Sequence, residues 1–584
     1  MNFDPPKIVV GRVGDLILIN NTYMKINISI HKERIIKNWR SGLTVALISV
    51  PLSIALSIAS GAGPVPGLIT GIWATLIASI FGGSNYNIIG AAGALTTVLF
   101  AATLTSPLGL GAGILPLLAI ATGLIIFIVW AFRVDRFLYY IPSSVMYGFS
   151  AGVAFLIAAS QLFDATGLSA LKRTGTFLGD IALFISKMSA VHFASIATFT
   201  GFLIFILVWK RTVKMLPAVI PTSILGILFG YLEVHYFDHG LISLGDKFGN
   251  FSASLYASVP WHSIPTLMTH PEHIIWIFKT AGVIALIAIL ETLITAKIGD
   301  RITKTQSSST KELLGLSLAN IGSGIFGGLP ATGVFIRTGA NIKAGATHKM
   351  SATITALATG AIALVVLPLF IYIPMTVIAA LLVNTAIGLI ETEKFKEFWK
   401  HEKASFWIAI IVILITVFED AGTGVVIGAL LALLSFAENI SHGRFDAILN
   451  YRDGTREDIR GKRNLKLLEN KEVYIFTYSI AGFLGYIDSA RHAHNLREIA
   501  KNKNIVHVII RLRDLFAMDF EGVAMLTESL EELHATGKKV YISSASTSVL
   551  EQLHDISFIH SGEQHVFQKT SDVLNAIGFV KKTV

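Results

Sequence analysis

The stretch Ala281-Gly282-Val283-Ile284-Ala285-Leu286-Ile287-Ala288-Ile289-Leu290-Glu291-Thr292-Leu293-Ile294-Thr295-Ala296 lies between Lys279 and Lys297 and carries a single charge, the carboxylate of Glu291. At about 1.5 Å of rise per residue, a helix would hold that carboxylate roughly 18 Å from one charged end and 9 Å from the other. An ionisable group at such depth in a bilayer costs on the order of 3 kcal/mol, so residues of this kind commonly line an ion or proton pathway. The competing reading is a structural acid tied to a neighbouring helix. Read as the only carboxylate sunk deep in an apolar helix, Glu291 makes transport the leading expectation.

Composition places the rest of the chain in the same class. Of 584 residues, 53% are hydrophobic and 15% charged, and mean hydropathy is +0.65. The fifty glycines suit helices that approach closely or break inside a bilayer. With no cysteine, disulfides and thiolate metal sites are excluded. The net charge of +9 is topological and does not point to nucleic acid. Arg133/Arg136, Lys210/Arg211/Lys214, Lys297/Arg301/Lys304, Lys343/Lys349 and Lys394/Lys396/Lys400 fall in alternate connections, the positive-inside pattern. Residues 1–40 read as a cytoplasmic arm without a signal peptide. Met24 offers a more ordinary start than Met1, so residues 1–23 read as an upstream-start artefact or a loose arm.

Fourteen apolar segments are read between 41 and 438: 42–60, 66–81, 88–104, 114–132, 138–160, 193–209, 215–232, 275–297, 313–328, 333–346, 351–369, 372–390, 404–418 and 421–437. Two short segments, 88–104 and 333–346, begin at glycine clusters, Gly90-Ala91-Ala92-Gly93 and Gly327-Gly328 to Gly333. Short glycine-broken segments at matching places in two halves mark the binding site of inverted-repeat transporters. The halves match at Val45-Ala46-Leu47-Ile48 with Ile284-Ala285-Leu286-Ile287, at Gly90 with Gly333, and at Tyr140-Ile141-Pro142 with Tyr372-Ile373-Pro374. Seven segments per half is odd, so the second half enters from the opposite side and both termini face the cytoplasm. Residues 439–470 read as a polar linker, and 471–584 as alternating strands and helices of a small α/β domain. That domain offers no phosphate loop and no catalytic cluster.

These residues resemble the sulfate permease (SulP) family of anion transporters, which ends in a STAS domain. The resemblance covers residues 40–584. It is carried by Ser49-Val50-Pro51-Leu52-Ser53-Ile54-Ala55, Gly61-Ala62-Gly63-Pro64 with Gly67-Leu68, Phe81-Gly82-Gly83-Ser84, Glu291-Thr292-Leu293, and Gly333 with Arg337-Thr338 and Asn341. It implies a core domain and a gate domain, with substrate held between the facing N-termini of the third and tenth helices. Free N–H groups and two helix dipoles make an anion site there without side-chain charge. The implied binding residues are Gly90, Ala91, Ala92, Gly93, Gly333, Val334 and Phe335. On glycines alone, close helix packing is the simpler reading.

Departures from the family pattern bear on substrate. Ala91 replaces a common proline, and Val334, Phe335 and Ile336 stand where relatives often carry Ser or Thr. Thr96, Thr97 and Thr332 are candidate replacement donors, although such threonines often bond their own backbone. Arg337 either adds positive field to the anion site, pairs with Glu291 or reaches the cytoplasmic surface. Pro51 is expected to break the first span near the site. Asp519-Phe520-Glu521-Gly522 sits where related STAS domains carry Asp-Ser-Ser-Gly, so Glu521 replaces the phosphoacceptor and reads as a solvated acid at a helix start.

The combined expectation is a polytopic α-helical membrane protein, not an enzyme, in the bacterial cytoplasmic membrane. It is a secondary active transporter of small inorganic or carboxylate anions, coupled through Glu291 and Thr295 and working as a homodimer among membrane lipids, with no cofactor and no nucleic-acid partner. Desolvation favours a neutral carboxyl, which suits H⁺ symport. An ionised Glu291 with Thr295 one turn away would instead hold Na⁺ through oxygen ligands. The alternatives are a nucleobase permease of the same fold and a non-transporting sensor acting through the STAS-like domain.

Overall fold

A computed structural model describes residues 13–133, 142–171, 173–213, 216–237, 239–251, 254–441, 445–451, 456–460, 473–553 and 565–579. Arg136, Tyr140, Ile141, Lys214, residues 1–12 of the N-terminal arm and most of the 439–470 stretch lie outside them. The chain divides into two compact units, Met1–Ala432 and Leu433–Val584.

Each of the fourteen apolar segments contains a helix: α1 (Val13–Ala59), α2 (Pro64–Phe81), α3 (Gly93–Leu104), α4 (Ile114–Ala131), α5 (Ser143–Ser160), α6 (Phe193–Thr212), α7 (Val219–Leu232), α8 (Pro271–Thr303), α9 (Ser309–Ile325), α10 (Phe335–Lys343), α11 (Met350–Val366), α12 (Met375–Leu389), α13 (Lys403–Phe418) and α14 (Ala421–Ser441). Among the described residues, nine helices are long and apolar enough to cross a membrane. The α3 helix is shorter, because its segment opens as the strand β1 (Ile89–Gly90). The α10 segment opens in the same way as β2 (Thr332–Gly333).

Two local readings are corrected. The first helix begins at Val13, so most of the arm is helical and continuous with the first span. No proline interrupts it before Pro51, and it continues through Pro51 without ending. A proline forfeits one intrahelical bond, but Val50, Pro51 and Leu52 are all buried, and packing holds the turn.

The repeat is visible in the caps. Pro142 precedes α5 and Pro374 precedes α12, both in extended backbone, where a missing N–H costs least. Helices α1, α2, α4, α8, α9, α10 and α11 pack as one group, and α5, α6, α7, α12 and α13 as another. Close approach is explicit at Gly315 of α9, where a Cβ would lie 2.6 Å from the Cα of Gly82.

The second unit holds β3 (Phe445–Tyr451), β4 (Arg456–Arg460), β5 (Val473–Leu484), α15 (Tyr486–Lys501), β6 (His507–Met518), α16 (Phe520–Ala535), β7 (Lys539–Ser543), α17 (Thr547–Gln552), β8 (Val566–Phe567) and α18 (Thr570–Ala576). They form a six-stranded sheet in the order β4-β3-β5-β6-β7-β8. The parallel strands β5 to β8 follow the sequence reading, while β3 and β4 fall inside the stretch read as linker. Their pairing is antiparallel, Ala447 opposite Ile459, and Asp453-Gly454 between them is a hairpin signal. Asp519 caps α16 through the Gly522 N–H at 2.8 Å, which leaves Glu521 exposed in the first turn, as read from sequence.

Candidate functional site

Strands β1 and β2 pair antiparallel, Ile89 opposite Gly333 and Gly90 opposite Thr332. The Val334 N–H extends the ladder to the Ile88 carbonyl at 2.9 Å. Immediately beyond, α3 starts at Gly93 and α10 at Phe335. Their preceding residues, Ala92 and Val334, are extended and supply no side-chain cap. The first N–H groups of each helix are therefore the open donors that every uncapped helix start carries.

A buried acid fixes this pair of starts. Glu312 Oε2 accepts the N–H groups of Gly83 and Ser84, each at 2.8 Å, and its Oε1 accepts Asn87 Nδ2 at 2.7 Å. Asn87 Oδ1 in turn accepts the Thr338 hydroxyl at 3.0 Å, and that hydroxyl accepts the Ile88 N–H at 3.0 Å. The network joins α9, the loop before β1, and α10. Glu291 is thus not the only deeply placed acid. Glu312 occupies the first turn of α9, where a solvated acid is ordinary, so sequence periodicity gives it no distinction.

Helix α8 docks on β2 through hydroxyls. Thr292 Oγ1 accepts the Gly333 N–H at 2.8 Å and lies 3.0 Å from Thr332 Oγ1, which donates to the Ala288 carbonyl at 3.0 Å. Thr295 donates to the Gly333 carbonyl at 3.3 Å. Glu291 projects from the same helix into a cavity of about 280 Å³ whose wall includes Leu56, Gly93, Thr295, Val334 and Phe335. Glu291 Oε2 makes no hydrogen bond among the described residues. The cavity continues along α8 to Lys297 and Arg301, facing Tyr147 and Glu391.

The structure divides the seven candidate binding residues. Gly93, Val334 and Phe335 line the cavity; Gly90, Ala91, Ala92 and Gly333 do not. Gly333 has its N–H committed to Thr292, and a Cβ there would meet Asn87 Nδ2 at 2.8 Å and Thr292 Cα at 3.0 Å. Its small size serves packing, and the Val334 N–H is likewise committed. Gly90 makes room for Arg337, whose Nη1 would lie 2.4 Å from an added Cβ. Arg337 itself is 0% exposed and donates to Ser53 Oγ at 2.9 Å. It neither reaches the surface nor forms an ion pair with Glu291 among the described residues. Thr96 bonds its own helix, at Gly93 O, 2.8 Å away. Thr97 lines a different cavity with Arg173 and Asp180, where Arg173 Nε meets Asp180 Oδ2 at 3.0 Å.

The Sulfate permease family profile matches residues 35–412, the part that builds this cavity, and the STAS domain profile matches residues 465–573. The chain belongs to the sulfate permease family. This is a family of transporters, not enzymes. The chain is 27% identical to the putative sulfate transporter YvdB of Bacillus subtilis over 92% of its own length and 97% of that protein's. It is 24% identical to the bicarbonate transporter BicA of Synechocystis, covering 94% and 96%. Murine Slc26a9, solved in the inward-facing state, superposes with a TM-score of 0.75 at 16% identity, covering 94% of this chain and 92% of that one. That likeness establishes the sulfate permease chain as a polytopic helical membrane fold with a STAS domain.

Proposed function

We propose that this chain is a secondary active transporter of small inorganic anions of the sulfate or bicarbonate class, with dicarboxylates as candidates. Transport is coupled to H⁺ or Na⁺ by alternating access. One observation carries the reading: two uncapped helix starts and Glu291 share one cavity. The helix starts supply oriented N–H donors and the positive ends of two dipoles, enough to hold an anion without a side-chain cation. Their low-dielectric surroundings strengthen that field. Arg337, buried behind Gly90, adds positive charge near the two strands without touching the cavity wall.

Glu291 with Thr295 is the coupling group of this reading. With one carboxyl oxygen left unbonded, Glu291 can take up a proton, or with the Thr295 hydroxyl it can hold Na⁺. Binding of the cation reduces negative charge beside the anion, so the two ligands favour each other. The α5–α7 and α12–α13 group then rocks against the other helices to expose the site alternately. The protein works as a homodimer in the bacterial cytoplasmic membrane with both termini inside. The related sulfate and bicarbonate transporters named above support the anion class of this reading.

The test is uptake into liposomes holding the purified chain, with labelled sulfate, bicarbonate and dicarboxylates under imposed pH and Na⁺ gradients. Concentrative uptake of one of these anions is the expected result. Uptake of uracil instead would replace the reading with that of a nucleobase permease, and no flux of any solute would leave the sensor reading.

A further inference from the structure

Helix α5 has two opposed faces. On one, Gly148 and Gly152 press against α13: a Cβ at Gly148 would lie 2.6 Å from the Ala409 carbonyl oxygen, and one at Gly152 2.8 Å from Thr416 Cβ. This close approach fixes the rotation of α5 about its own axis. At 3.6 residues per turn the opposite face carries positions 143, 147 and 150. Those residues are Ser143, Tyr147 and Ser150, and all three line the cavity that holds Glu291. Among the described residues none of their hydroxyls bonds to protein, whereas Thr385, the other hydroxyl contributed by the opposing helices, donates to its own helix at Leu381 O, 2.9 Å.

We propose that Tyr147 and Ser150 of α5 are substrate-contacting residues that select oxyanions over halides, with Ser143 continuing the row toward Arg301. This rests on the anion-transport reading above and extends it to the opposite wall of the same cavity. The argument is one of donor supply. The α10 start presents Val334, Phe335 and Ile336 to the cavity and no side-chain donor. A halide is a single acceptor centre, and the N–H groups at the two helix starts can satisfy it from one side. An oxyanion bears oxygens that also point away from those starts. In a desolvated cavity, an oxygen without a donor costs as much as a lost charge-assisted hydrogen bond. Tyr147 and Ser150 supply hydroxyl donors on that far side. Both stand on α5, in the other packing group from α10, so an oxyanion held by both walls bridges the two groups. A site built to hydrogen-bond a ligand discriminates against one that leaves its donors unpaired.

The experiment is calorimetric titration of the full chain in nanodiscs with sodium sulfate, sodium bicarbonate and sodium chloride. Tyr147→Phe keeps the ring and its 5.9 Å contact with Phe398 and removes only the hydroxyl; Ser150→Ala does the same for the second donor. Each single variant is expected to weaken binding of the preferred oxyanion about tenfold, and the double variant further. Chloride affinity is expected to stay within about twofold, and Ile196→Val, on the exposed face of α6 outside the cavity, to leave both unchanged. Equal losses for oxyanion and chloride, or no loss in the Tyr147→Phe and Ser150→Ala variants, would overturn the proposal while leaving the transport reading intact. A parent protein that binds no anion at all would overturn the transport reading, and this one with it.

Discussion

Replacing Glu291 by Gln is the most direct probe of coupling. The change preserves shape and leaves the Thr292 and Thr295 bonds to Gly333 in place. It removes the titratable group and the negative charge that faces Gly93 and Phe335 across the cavity. A one-unit pH step, with membrane potential clamped to zero, stores about 1.4 kcal/mol per proton, enough to concentrate the anion about tenfold for each proton carried. A tenfold Na⁺ gradient stores the same amount. In proteoliposomes the parent is expected to reach that ratio under whichever gradient couples, and Glu291→Gln to equilibrate at a ratio near one. Because the helix starts and hydroxyl contacts survive, counterflow of labelled against unlabelled anion should persist in the variant. Glu291→Gln vesicles that accumulate substrate to the parent ratio would refute the coupling role.

Three further outcomes follow from named contacts. Thr292→Val strands the buried Gly333 N–H and removes a partner of Thr332, so it should destabilise the helical unit by about 1–3 kcal/mol, visible as a lower melting temperature in detergent. In the second unit, burial pushes His492 down to about 4, with Tyr478 Oη 2.7 Å from its Nδ1. The folded form is therefore neutral where the unfolded chain protonates near 6.5, so stability is complete above that value and falls as pH drops toward about 4. Between pH 7 and 5 the loss should be about 2 kcal/mol, read as faster amide exchange in β5 and α15, and His492→Gln should flatten it. Deletion from residue 445 onward should lower expression, dimer stability or rate without changing anion preference, because preference is a difference of affinities at the membrane cavity. A changed preference in a normally inserted truncation would contradict that division of labour.

Hydrophobic runs, glycine breaks and charge alternation are local properties, and they are enough to mark the fourteen helical segments, the glycine breaks ahead of α3 and α10, and the strand–helix alternation from β5 onward, but not the β1–β2 or β3–β4 pairs. The depth of Glu291 is equally local, since it depends only on the length of apolar chain on either side. What each residue does next to its neighbours is not local. The family resemblance places Gly90 and Gly333 at the anion site, yet one clears space for the Arg337 guanidinium and the other for Asn87 and α8. Glu312 resembles any helix-start acid until Gly83, Ser84 and Asn87 fold onto it. Ser143, Tyr147 and Ser150 fall on one face by spacing alone. Only the packing of Gly148 and Gly152 against α13 decides that this face looks into the cavity. Periodicity fixes which residues share a face; which face meets which partner depends on contacts between segments far apart in the chain, and those exist only once the chain has folded.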